Sequence, residues 1–80
     1  MKPTVGRIVH FANPEGPDWE PIQVYAAIVA RVLSNDPERA EPPVDLWIFA
    51  PGGILHSEAV PFSETQQRGY WSWPTWEGTP

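Results

Sequence analysis

The sequence predicts a mostly β fold, either a small five-stranded curled sheet or a small barrel. Three observations point there. The apolar residues fall into short runs rich in Val, Ile and aromatic side chains. Eleven prolines and six glycines are spread between those runs, too many for a helical bundle and too evenly placed for one disordered tract. There is no cysteine, so neither disulfides nor thiolate-bound metal can staple the chain. A chain of 80 residues has a thin core, hiding only about 60% of the surface it exposes when unfolded. Its stabilisation must come from burying five Trp, three Phe and two Tyr, with a subunit interface as a further source.

Taken in order, residues 5–11 (Val-Gly-Arg-Ile-Val-His-Phe) read as a first strand, ended by the turn-forming stretch Asn13-Pro14-Glu15-Gly16-Pro17-Asp18. Residues 22–33 admit two readings. Ile22, Tyr25, Ala26, Val29 and Leu33 fit a helical stripe, with Pro21 acceptable in a first turn. Ile22, Val24, Ala26, Ile28 and Val32 fit a strand. The strand is preferred, because the neighbouring elements are strands that need partners; the helix at 22–33 stays as the alternative. Residues 34–43 form a polar connection, with room for one helical turn after Pro37. Residues 44–50 are the clearest strand. Pro51-Gly52-Gly53 reverses the chain and residues 54–60 return as the hairpin partner. A polar loop follows at 63–68, then a short last strand at 70–73 stopped by Pro74. Residues 1–74 make one domain and 75–80 a flexible tail. A barrel of the Src-homology-three type is the leading geometry, since closure would hide the sheet's edges.

Ten acidic residues against five basic ones give a net charge of −5. Duplex nucleic acid and anionic membranes are held through Lys and Arg, so neither is an expected partner. The start, Met1-Lys2-Pro3-Thr4, opens no apolar stretch of signal-peptide length, and the apolar run 25–30 is too short to span a bilayer. A cytoplasmic location fits these features.

Two stretches carry a family likeness. Pro3-Thr4-Val5-Gly6-Arg7-Ile8-Val9-His10-Phe11 and Gly69-Tyr70-Trp71-Ser72-Trp73-Pro74 resemble the ends of a set of small bacteriophage proteins. Those proteins typically open with Pro-Thr-Val-Gly-Arg-Ile-Val-His-Tyr and close with Gly-Thr-Trp-His-Trp-Pro. Tyr25-Ala26-Ala27-Ile28-Val29 and Phe49-Ala50-Pro51-Gly52-Gly53 follow the general run of the same set. The departures are Phe11 for Tyr, and Tyr70 and Ser72 for Thr and His; the second removes a histidine and with it one group for metal or acid–base chemistry. The resemblance implies a phage origin and the host cytoplasm, but no established activity. Some small phage proteins act as sponges for nucleotide signals of bacterial immunity, and that role is extended here by analogy alone.

The residues available for binding are few. On a strand, Trp71 and Trp73 share a face and Tyr70 takes the other, so the indoles form either a core or a platform for stacking a base. Trp47 shares a face with Asp45 and Phe49, opposite Val44, Leu46 and Ile48; an apolar set on both sides marks an interaction surface and favours a homo-oligomer. Arg7 in the first strand and Arg68 beside the terminal rings could fork onto a phosphate or carboxylate, or pair with acidic neighbours. His10 is a candidate ligand contact. His56 and Ser57 point to opposite faces and make a poor nucleophilic pair. No phosphate-cradling loop, nucleophile elbow or metal signature is present, so neither catalysis nor a cofactor or metal is expected. The expected function is therefore a non-enzymatic sponge binding a nucleotide-type immune signal through Arg7, His10, Trp47, Arg68, Tyr70, Trp71 and Trp73. The alternative is an adaptor or inhibitor of a host defence protein, or a virion accessory protein, acting through an aromatic surface.

Overall fold

Five strands rich in Val, Ile and aromatic residues form in the computed structural model, which describes residues 2–34, 36 and 38–74. The strands are β1 (Ile8–Ala12), β2 (Val24–Val32), β3 (Val44–Ala50), β4 (Gly53–Val60) and β5 (Trp71–Ser72). They pair antiparallel in the order β4-β3-β2-β1-β5.

The sheet is open. Its end strands are β4 and β5, so the curled sheet is realised and the closed barrel is not. The physical reason lies in β5, whose two residues cannot supply the pairing that closure demands. A parallel bridge between Phe62 and Trp71 folds the segment after β4 back against this short strand.

Within residues 22–33, Val24–Val32 form a strand and no helix forms. The side chains of Ala27 and Val29 are buried in the core while Ala26 and Ile28 lie on the opposite face. The first strand starts later than expected, at Ile8. Gly6 adopts φ +90°, a left-handed turn conformation open to glycine, and Arg7 N–H donates to Thr4 O at 3.0 Å. β3 has the expected bounds, and β4 begins one residue early at Gly53. The expected last strand at 70–73 shrinks to two residues. Asp36 O accepts the Arg39 N–H in the 34–43 connection; Pro37, where one helical turn was expected, and the tail 75–80 lie outside the described residues.

Val9, Phe11, Ala27, Val29, Val44, Leu46, Ile48, Val60 and Trp71 gather on one face, here called inner. No second layer of regular structure covers them among the described residues. Phe62 and Trp73 pack on this core from loop segments, and Pro42 is fully buried.

Two bulges bend the sheet, one in β2 between Val29 and Arg31, the other where Glu58 and Ala59 oppose β3. Asp45 ties them together. Its Oδ2 accepts from Arg31 Nε at 2.8 Å, and its Oδ1 accepts the N–H of Ala59 at 2.9 Å, where φ is +53°. The Ala59 hydrogen bond, aided by Arg31, holds the Asp45 carboxyl below its ordinary value of 3.8 against the opposing effect of burial. A lowered value in the folded state contributes stability above the unfolded value, and that contribution is lost as pH falls through the folded one. The expected result is an acid-side loss of stability beginning near pH 4, flattened in Asp45→Asn. Urea unfolding of both proteins at about pH 6 and about pH 3 measures it; parallel pH profiles would refute the assignment.

Candidate binding surfaces

The sequence-predicted residues separate into three places. Arg7, Trp71 and Trp73 come together. The rings of Trp71 and Trp73 meet edge to face at 5.1 Å, Phe62 lies 4.8 Å from Trp71, and the Arg7 guanidinium sits 5.2 Å above the Trp73 ring. β5 is pinned to build this cluster: Trp71 N–H donates to Pro61 O, and Ser63 N–H donates to Trp71 O, both at 2.9 Å. Trp71 has no exposed surface at all, so its ring is core and cannot stack a base as the chain stands. Trp73 and Tyr70 are half-buried, and Trp76 lies outside the described residues. The indole N–H groups of Trp71 and Trp73, and Nδ1 of His10, are buried without a hydrogen-bond partner among the described residues. His10 itself pairs across the sheet with Ser72.

Arg68 serves the 13–21 loop. Its Nη1 donates to Glu15 O at 2.7 Å and its Nη2 to Pro17 O at 2.9 Å and Glu20 O at 3.3 Å. Gly16, at φ +122°, lets this guanidinium approach; a Cβ there would lie 3.0 Å from Nη1. The fork expected for a phosphate is thus engaged by carbonyls more than forty residues away in sequence, which no local pattern reveals.

Trp47 belongs to the outer face of the sheet. The register places Ile8, Ile28, Trp47 and His56 in one row across four strands, and His10, Ala26, Phe49 and Ile54 in the next. Ile8 (57%), Trp47 (47%), Phe49 (43%) and Ile54 (61%) are all strongly exposed. The Trp47 and His56 rings pack at 4.6 Å with a 39° tilt. Sequence reasoning missed Ile8, Ile28 and Ile54 as members of this surface. The signal was the run in β2, where apolar residues occupy both parities of the strand.

An open cleft of about 450 Å³ lies at the β3–β4 end of the inner face. Phe11, Tyr25, Ile48, Ala50 and Leu55 form its apolar lining, with Asn13, Glu15 and Ser57 as polar members. The Tyr25 hydroxyl donates to Gln23 Oε1 at 2.9 Å and accepts from Asn13 Nδ2 at 3.4 Å, which steadies the ring at the rim. Its described lining carries one carboxylate and no lysine or arginine, a poor setting for phosphate.

Among the described residues no three His, Asp or Glu side chains are grouped to hold a metal ion, and no helix is long and apolar enough to cross a membrane. Compared with protein-family models, curated proteins and solved structures, the chain matches none of them.

Proposed function

We propose that this chain is a non-enzymatic binding protein of bacteriophage origin, working in the host cytoplasm, that engages a polypeptide through the outer face of its sheet. The observation that carries the reading is the band of exposed Ile8, Trp47, Phe49 and Ile54. Soluble domains rarely leave a contiguous apolar patch of this kind uncovered unless it is used. Aromatic side chains in such a patch are rigid and lose little entropy on binding. An adaptor or an inhibitor of a host defence protein fits this surface, and so does a virion accessory role. The test is capture on immobilised protein. Wild type should retain a polypeptide that Phe49→Glu, folded by circular dichroism, does not retain; retention unchanged by Phe49→Glu would sink the reading.

A second reading, sequestration of a nucleotide-type immune signal, is favoured by the open inner cleft and by Arg7 lying over Trp73. Phosphate would have to be met at Arg7, outside the cleft's described lining. Thermal-shift measurements with cyclic dinucleotides and ADP-ribose derivatives address it. No shift with any of them removes this reading and leaves the first intact.

A further inference from the structure

We infer that the occupant of the outer face is a second copy of this chain, stacked sheet on sheet about a two-fold axis; this rests on the reading of that face as a protein-binding surface. Three observations select a second copy.

The sheet's edges are blunted and its outer face is not. β5 is two residues long, and β4 carries the Glu58–Ala59 bulge near its end, features that shorten the edges open to edge-to-edge pairing. Association is thereby directed to the face. A sheet's apolar face is buried against another layer; here the inner face is covered by loops, while on the outer face Ile8, Trp47, Phe49 and Ile54 stay exposed.

The face is also electrically suited to itself. Each copy carries a net charge of −5, so two copies repel unless the contact is free of surplus charge. The two rows consist of Ile, Ala, Trp, Phe and His. At one border Asp45 is neutralised by Arg31, and Glu58 lies on the β4 margin. An acidic or basic partner would find no matching charge in the centre; an identical apolar face brings no penalty.

The area suffices for a weak, specific dimer. Four side chains of ~200 Å² at about half exposure offer ~400 Å² per copy. With Ala26, Ile28 and His56 this approaches ~600 Å² per copy, the lower end of specific interfaces. Two twisted sheets pack aligned, about 10 Å apart, which brings Trp47 and Phe49 of both copies to the middle.

Sedimentation equilibrium and light scattering across a concentration series decide the matter. The expected result is twice the 9.0 kDa chain mass at ~100 µM, relaxing to monomer on dilution. Phe49→Glu, which sets two carboxylates against each other, should weaken dimerisation at least ~100-fold. Leu55→Glu, on the same hairpin but facing inward, should leave it unchanged, with matching circular dichroism showing that both variants fold. A monomeric wild type at ~100 µM overturns the inference, as does equal loss in the two variants. A monomer that still captures another polypeptide in a Phe49-dependent manner leaves the function reading standing; a monomer that captures nothing sinks both.

Discussion

Trp71→Ala should cost about 3–5 kcal/mol, the loss typical of emptying an aromatic site in a packed core. An 80-residue domain has on the order of 4–12 kcal/mol to lose, so this variant would lie at or below the edge of stability. The cost is high because Trp71 is the largest fully buried side chain and stands where β1, the Phe62 segment and Trp73 converge. Thermal unfolding should show a midpoint lower by roughly 15–30 °C. Trp71→Phe separates packing from polarity. The indole N–H is buried without a partner among the described residues, a burden of about 1–3 kcal/mol. Phenylalanine removes that burden while keeping much of the ring, so its cost should be well under half that of alanine. Equal costs would mean that the N–H is satisfied after all.

The contrast between the tryptophans shows how far local pattern reaches. β3 was legible to the residue, because Val44, Leu46 and Ile48 alternate with Asp45, Trp47 and Phe49 between clear turn signals. The strand at β2 was legible only through context, since its apolar residues satisfy both periods. Closure of the sheet was not legible at all. It depends on the length of β5, and the four residues Tyr70-Trp71-Ser72-Trp73 followed by proline look the same whether two or all four of them pair. From their spacing the terminal rings fit either a core or a platform, and the bridge from Phe62 to Trp71 places Trp71 wholly in the core. Arg68 was misplaced for a similar reason, as its carbonyl partners lie across the fold. Long-range partners decide between core, clamp and surface, and single-sequence periodicity carries no information on them.

Leu46→Ala should cost about 2–5 kcal/mol, while Trp47→Ala, one residue along, should cost about 1 kcal/mol. Leu46 is fully buried between Val29 of β2 and Ser57 of β4, under a core with no second layer of regular structure among the described residues to collapse into the space it leaves. Trp47 loses its contact with His56, but nearly half of its surface already faces solvent. Urea unfolding at low protein concentration measures both costs on the monomer. The order would invert if the sheet's faces were assigned the wrong way round, because a one-residue slip exchanges every inner and outer side chain. Concentration adds a second axis. If two copies share the outer face, the wild-type midpoint rises with protein concentration, as does that of Leu46→Ala from its lower start, whereas that of Trp47→Ala stays flat. The residue that matters least to the folded monomer would then matter most to its assembly, as expected where one face of a sheet is spent on the core and the other on a partner.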